Sequence, residues 1–430
     1  MKNLITSIFI SILFISPILA VNGFAQFRSF EVSPEEQRQL LKSYIAIGLQ
    51  NNAGIQASKT EVESMELQSG QFGSLPNPML EFEYGVWSRM TPADRLRLSV
   101  MQPIPWFGSL TATRQYFDQL ASAQKNQITE KENQLIFDIR MLWYEMHELI
   151  HHIYVFYESI ELLEQLELQL LSRLETGQGS QVDVLRIQME KESLSSRIES
   201  SEDELESLTM QFNALLNRDL NAPIDLLYEV DPEPVPEVLN KSGRLVENPQ
   251  LKLLEETDRA AQTDIRRAQL EGRPTLEVGM GIMNKDLLVG DPTRINTVEV
   301  MVRVGLPVYR NQYRAREQRA RLESRIISET RSDIEISMEA DLETTARTLR
   351  TAQRDQELYL EKLLPMAEQA LEIALTNYSF TGGGFEQIIQ LKRQIIDYWM
   401  MYYSAISDHN NAVTRIEYLT GQSFYKETEI

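Results

Sequence analysis

Alternating apolar and polar residues mark two segments as pairs of strands: PMLEFEYGVWSRMTPADRLRLSVMQPI at residues 78–104 and PTLEVGMGIMNKDLLVGDPTRINTVEVMVRVGLP at residues 274–307. The predicted strands are 78–88, 94–104, 274–284 and 296–307. A strand of about ten residues is long enough to cross a bilayer when tilted, and apolar-out, polar-in alternation is typical of membrane barrels. An ordinary half-buried sheet packed on helices is the alternative interpretation.

The polar face of the predicted strands carries most of their charge. Its charged residues are Glu81, Glu83, Arg95, Arg97, Glu277, Glu299 and Arg303. In a barrel these side chains would face the lumen, where they would tune which solutes pass or pair across strands to hold the wall. Four strands cannot close a barrel, and an open sheet edge in lipid leaves costly unpaired backbone groups, so the sequence predicts an oligomer. Two copies would supply eight strands, whereas three would supply twelve and leave room for a duct.

A long helical tract follows each pair of strands, at 108–175 and at 310–378. At 1.5 Å per residue each tract would reach roughly 100 Å. Apolar residues recur at alternating steps of four and three from Leu135 to Leu174, which indicates a coiled-coil seam. Glycine-rich turns then join each tract to a returning helix, giving predicted helical hairpins at 108–217 and 310–420. Pro365 is predicted to kink its rod rather than to end it.

The two halves of the chain repeat one another at nearly the same spacing, as expected of a duplicated unit. Asn52 and Asn248 are both predicted to follow one helix and to open another. The predicted organisation is a signal peptide at 1–25, a first repeat at 26–220, a proline-rich linker at 221–245, a second repeat at 246–422 and a tail at 423–430.

The amino terminus has the charged start, apolar core and small-residue end of a secretory signal, and a membrane anchor is the alternative. After it no stretch approaches 18 apolar residues, so membrane insertion would have to use strands. The absence of cysteine excludes disulfides, thiolate metal sites and a lipidated amino-terminal cysteine. A net charge of −21 argues against a nucleic-acid partner. The 16 methionines do not cluster along the sequence and give no indication of cargo.

Residues His147 to His151 read HELIH and match the H-E-x-x-H pattern of zinc metalloproteases, in which two histidines on one helix face hold zinc and the glutamate is the base. Leu149 belongs to the coiled-coil seam, where no substrate cleft is expected. The sequence therefore favours a protein that is not an enzyme, with no cofactor and no dedicated metal site. A zinc protease is kept as a remote alternative, and weak metal binding at the two histidines is left open.

The chain resembles the outer-membrane efflux protein family, the TolC-like ducts. The residues that carry the likeness are the helix turns at Asn52 and Asn248-Pro249, LPNPMLEFEYG, QPIPWFG, GLPVY, and Leu363-Leu364-Pro365 followed by NYSFTGGG. The resemblance covers essentially the whole mature chain. It implies an α+β membrane protein: long antiparallel coiled-coil hairpins, with four strands per chain contributing to a 12-stranded β-barrel of a homotrimer. That barrel would cross the outer membrane of a Gram-negative bacterium, and the helices would form a periplasmic tunnel.

The resemblance also implies partners and an aperture. A periplasmic adaptor (a membrane fusion protein) and an inner-membrane pump of the RND type would dock on the tunnel, and metal ions, drugs or small molecules would leave through it. The family often carries acids just past the hairpin tips, and here Asp183 is such an acid, whereas the second hairpin has glutamines. The predicted aperture residues are Thr176, Gly177, Asp183, Arg186, Thr381, Gly382, Gln387 and Gln390. A soluble periplasmic coiled-coil scaffold or adaptor is the alternative function.

Overall fold

The computed structural model describes residues 34–85, 95–177, 179–226, 230–240, 243–285, 297–381 and 383–422. The predicted signal peptide, the predicted tail and Gly382 lie outside these ranges. The described elements are α1 (Pro34–Asn51), α2 (Ala53–Phe72), β1 (Met79–Gly85), β2 (Arg95–Ile104), α3 (Ser109–Glu175), α4 (Gln181–Leu215), a 3-10 helix (Glu237–Asn240), α5 (Pro249–Glu271), β3 (Thr275–Lys285), β4 (Thr297–Gly305), α6 (Arg310–Glu357), a π-helix (Leu358–Leu363), α7 (Leu364–Thr381) and α8 (Phe385–Thr420).

The four strands form one antiparallel sheet in the order β1-β2-β3-β4. Its register aligns the apolar residues of all four strands into continuous rows, for example Leu80 beside Val100, Val100 beside Met280, and Met280 beside Val300. A two-residue side-chain period then places every charged residue of the strands on the opposite face. The alternation predicted from the sequence is therefore the one that the sheet uses.

The sheet curls strongly toward its charged face. Arg303 on β4 lies 3.1 Å from the carboxylate of Glu81 on β1, although two strands separate them. Gly279 and Gly281 permit the curl, because a Cβ at Gly279 would lie 2.5 Å from the Val100 carbonyl oxygen. The charged face is thus concave and the apolar face convex.

The helices form long antiparallel hairpins that extend from the sheet. α3 is a single helix of 67 residues, which corresponds to a rod of about 100 Å. Its heptad positions are buried against neighbouring helices, including Ile139, Met146 and Leu163. Glu167, which interrupts the apolar series, is paired with Lys191 of α4 at 3.0 Å, so the interruption is compensated at the surface of the hairpin.

The second rod continues past Pro365 through a π-helical turn. The amide of Leu364 donates to the carbonyl of Tyr359, one residue further back than in an α-helix. Proline lacks the amide that the regular ladder requires, and a π-turn inserts the extra residue without ending the helix. The rod runs on as α7 to Thr381.

Asn52 and Asn248 both cap a helix, but only Asn52 also follows one. The Asn52 side chain accepts from the Ile55 amide at 3.0 Å, and the Asn248 side chain accepts from the amides of Gln250 and Leu251. The prediction of a helix before Asn248 is wrong: the 3-10 helix 237–240 and a turn precede it. Prolines at 232, 234 and 236 remove the amide donors that a longer helix would need.

Three apolar clusters hold the helices together. One lies between α3, α4, α7 and α8 toward the hairpin tips, a second between α1, α3 and α4, and a third where α6 and α8 meet the segment around Leu245. Among the helices of the described ranges, none combines the length and hydropathy needed to span a bilayer.

Candidate functional site

The convex face of the sheet is an exposed apolar surface. Val300 is 78% exposed, Leu80 70% and Phe82 68%. Large apolar side chains of this kind are usually buried. The exposed apolar residues of the four strands are Leu80, Phe82, Tyr84, Leu98, Val100, Met280, Ile282, Val298, Val300, Val302 and Val304. A contiguous apolar surface of this extent marks contact with a membrane or with another protein.

The concave face is held by two arginines, each placed between two glutamates of other strands. The four pairs are Arg97–Glu83 at 2.8 Å, Arg97–Glu299 at 3.1 Å, Arg303–Glu277 at 2.9 Å and Arg303–Glu81 at 3.1 Å. The structure therefore brings together six of the seven charged strand residues that the sequence singled out; the side chain of Arg95 lies outside the described part. Their geometry is that of cross-strand ion pairing, and each group of three keeps one net negative charge.

The tips of the two helical hairpins are joined by an arginine that the sequence reasoning missed. Arg173, in the last turn of α3, donates to the carbonyls of Tyr378 at 3.1 Å and Ser379 at 2.6 Å. Its guanidinium also lies 5.1 Å from the centre of the Tyr378 ring. These carbonyls belong to the last turn of α7, where the helix leaves acceptors without intrahelical partners. Arg173 of the first hairpin therefore caps the carboxyl-terminal end of α7 in the second hairpin.

Two ion pairs continue this connection into the returning helices. Arg186 of α4 is paired with Glu386 of α8, and the buried carboxylate of Glu190 accepts from Arg393 at 2.8 Å. Asp183 lies one turn before Arg186 on α4. Burial raises the pKa of the Asp183 carboxyl above its usual range, Glu386 adds to this effect, and the positive charge of Arg186 opposes it.

The predicted aperture residues that the structure describes lie at or near the ends of the hairpin helices. Thr176 is the C-cap residue of α3, and Gly177 has a φ of 73°, which favours glycine at this turn. Gln387 and Gln390 are exposed on α8. The side chain of Thr381 lies outside the described part, as Gly382 does.

The sequence signal that could have revealed Arg173 is a cation in the last turn of a long helix, but its acceptors belong to the other half of the chain.

The H-E-x-x-H histidines lie in the core of the helical rods. His147 is 2% exposed and packs against Trp143, with 4.7 Å between ring centres, while His151 stacks on Tyr403 at 4.0 Å. Burial lowers the pKa of His147 to about 3 and that of His151 to about 4. Across the described ranges, no group of three or more histidine, cysteine or carboxylate side chains is arranged to hold a metal ion. The residues present do not fit a zinc protease centre.

No family model and no curated protein sequence matches this chain. Its structure nevertheless matches solved membrane proteins over nearly the full length of both chains. The outer membrane protein VceC of Vibrio cholerae superposes with a TM-score of 0.77 and 13% identity, covering 92% of this chain and 100% of VceC. The Campylobacter jejuni CmeC outer membrane channel gives 0.72 and 13%, covering 95% and 92%. The open state of the Neisseria gonorrhoeae MtrE outer membrane channel gives 0.71 and 15%, covering 89% of each chain. The sheet with one exposed apolar face, the paired rods and these superpositions together assign to this chain the fold of the TolC-like outer-membrane channels.

Proposed function

We propose that this protein is the outer-membrane exit duct of a tripartite efflux system and that it conducts solutes passively. The observation that carries the proposal is the sheet: it is apolar and exposed on its convex face and charged on its concave face. A wall with lipid on one side and water on the other needs this distribution. The likeness of fold to VceC, CmeC and MtrE supports the same function.

The proposed assembly is a homotrimer with a 12-stranded barrel. The sheet of one chain ends in β1 on one side and β4 on the other. Unpaired amides and carbonyls on such edges cost several kcal/mol each in lipid, which favours pairing of β4 of one chain with β1 of the next. Twelve strands are the smallest closed multiple that leaves a water-filled interior wider than the side chains. The helical rods would then form a tunnel in the periplasm.

The proposed aperture is at the hairpin tips, where Arg173, Arg186 and Glu386 join the two hairpins of one chain. These contacts would hold the hairpins in one arrangement until a periplasmic adaptor and an inner-membrane pump, of the RND type, engage them. Breaking one of them would then favour a wider opening. The charged groups of the concave face would remain in the conducting path and tune which solutes pass.

The test is conductance of the purified full-length protein in planar lipid bilayers. We expect step-like currents of low conductance from the wild-type protein and larger currents from Arg186→Ala, because Glu386 would lose its cation. The matched control is Arg325→Ala, which removes an exposed ion pair with Glu329 at 3.4 Å on α6, far along the sequence from the tips. A wild-type protein that never conducts would contradict the duct, and equal currents in all three proteins would contradict the proposed aperture alone.

A further inference from the structure

Methionines that are far apart in sequence share one row of the concave face. The register pairs Met79 of β1 with Met101 of β2, Met101 with Gly279 of β3, and Gly279 with Met301 of β4. A side-chain period of two places all of these residues on the same face as the charged groups. Every non-glycine position of this row is therefore a thioether, although nothing in the linear sequence brings the three methionines together.

The glycines of β3 leave the thioethers room to lie over the sheet. A Cβ built on Gly279 would meet the Met101 sulfur at 2.2 Å, so that sulfur occupies the space a side chain would otherwise fill. A Cβ on Gly281 would lie 3.1 Å from the terminal methyl of Met301. Met101 and Met301 thus lean over β3 from its two neighbouring strands. Met79, at the start of β1, is 43% exposed, whereas Met101 is 1% exposed.

Carboxylates flank the methionine row on both sides. On one side of the row lie Glu81 and Glu299, which are two residues from Met79 and Met301 on their strands. On the other side lies Glu277, which is two residues from Gly279. Arg303 is the cation nearest to the row by sequence, and it is shared between Glu81 and Glu277. The surroundings of the row therefore carry no excess positive charge that would repel a cation.

Thioether sulfur is a soft, polarizable ligand that binds monovalent copper and silver well and binds hard cations such as Na⁺ or Mg²⁺ poorly. We propose that the row formed by Met79, Met101 and Met301 is a binding site for soft monovalent metal cations in the wall of the duct. The inference rests on the proposed function, because in a trimer three such rows would line the barrel at one level. A transit site must bind weakly enough to release its ion, and neutral thioethers suit that requirement.

The test uses Ag⁺ as the probe, since it needs no reductant, and the full-length protein in detergent and in bilayers. Equilibrium dialysis in chloride-free buffer measures Ag⁺ binding, and bilayer recordings measure the current when Ag⁺ is added. We expect the wild-type protein to bind Ag⁺ and its current to fall on addition of Ag⁺ but not of Na⁺. The variant Met79→Leu/Met101→Leu/Met301→Leu should lose Ag⁺ affinity by about tenfold or more, equivalent to about 1.4 kcal/mol.

The matched control is Met146→Leu/Met338→Leu/Met366→Leu, which removes three methionines from the helices and should keep wild-type affinity. Met79→Leu alone changes an exposed side chain at the start of β1 and should weaken binding by about twofold to fivefold, so the inference stays testable if the triple variant misfolds. Equal Ag⁺ affinity in wild type, Met79→Leu and the triple variant would overturn the methionine site without contradicting the proposed duct. A protein that binds Ag⁺ at the methionines yet never conducts would instead contradict the proposed duct.

Discussion

Placing a charge on the convex face of the sheet should destabilise the assembled barrel in lipid. On the convex face of β2 the apolar band runs from Leu96 to Ile104, interrupted by Gln102, over about 27 Å of strand at about 3.4 Å per residue. With a tilt of about 45° this band covers about 20 Å along the membrane normal. Val300 pairs with Met280, which pairs with Val100 at the middle of the band.

Val300→Arg would therefore place a guanidinium near the bilayer midplane. The cost of an arginine there is about 2–4 kcal/mol per chain, and a trimer would contain three of them. The assay is urea unfolding of the protein reconstituted in lipid vesicles, with the folded fraction followed by tryptophan fluorescence. We expect a decrease of about 2–4 kcal/mol per chain in the free energy of unfolding.

The matched control is Thr297→Arg, on the same strand but on the concave, charged face, where the register pairs Thr297 with Met283. An added cation there would face water and neighbouring carboxylates, so its effect on the free energy of unfolding should stay within about 1 kcal/mol. Equal destabilisation by the two variants, or a smaller effect for Val300→Arg, would refute the assignment of the convex face to lipid.

Three further predictions concern the helical rods. Because burial lowers the pKa of His147 to about 3, the unfolded chain takes up a proton that the folded chain excludes. The part of the stability that depends on His147 should therefore fall by about 2 kcal/mol from pH 7 to pH 5, so the loss of stability over this range should be smaller by about that amount in His147→Phe, measured by thermal unfolding. Arg140→Met should cost about 3–5 kcal/mol because it leaves the Glu417 carboxylate buried without its cation, and Arg140→Met/Glu417→Leu should recover most of this in urea titrations. Asn248→Ala should lower the free energy of unfolding by about 1 kcal/mol through loss of the α5 cap, and an unchanged denaturation midpoint would contradict that role.

Local patterns in the sequence were sufficient to predict the strands and the rods. Alternation at period two assigned Leu80 and Glu81 to opposite faces, and the heptad spacing from Leu135 onward predicted a rod that the structure contains as α3. These features depend on neighbours a few residues away, which a single sequence displays directly.

Features that depend on strand register or on contacts between the two halves of the chain could not be predicted from local sequence patterns. The row of Met79, Met101 and Met301 appears only when the strands are aligned. The acceptors of Arg173 lie about two hundred residues further along the chain, at the end of another helix. Pro365 was expected to disturb its rod, but the π-turn that accommodates it follows from hydrogen bonding that periodicity does not encode.

Electron cryomicroscopy of the full-length protein in lipid nanodiscs tests the central claim most directly, namely that one chain supplies only part of a closed wall. The account predicts a threefold-symmetric particle in which twelve strands cross the bilayer, with β4 of each chain paired to β1 of the next, and rods about 100 Å long outside it. A particle with one chain, or one in which the sheet packs on protein and stands clear of the lipid, would contradict it.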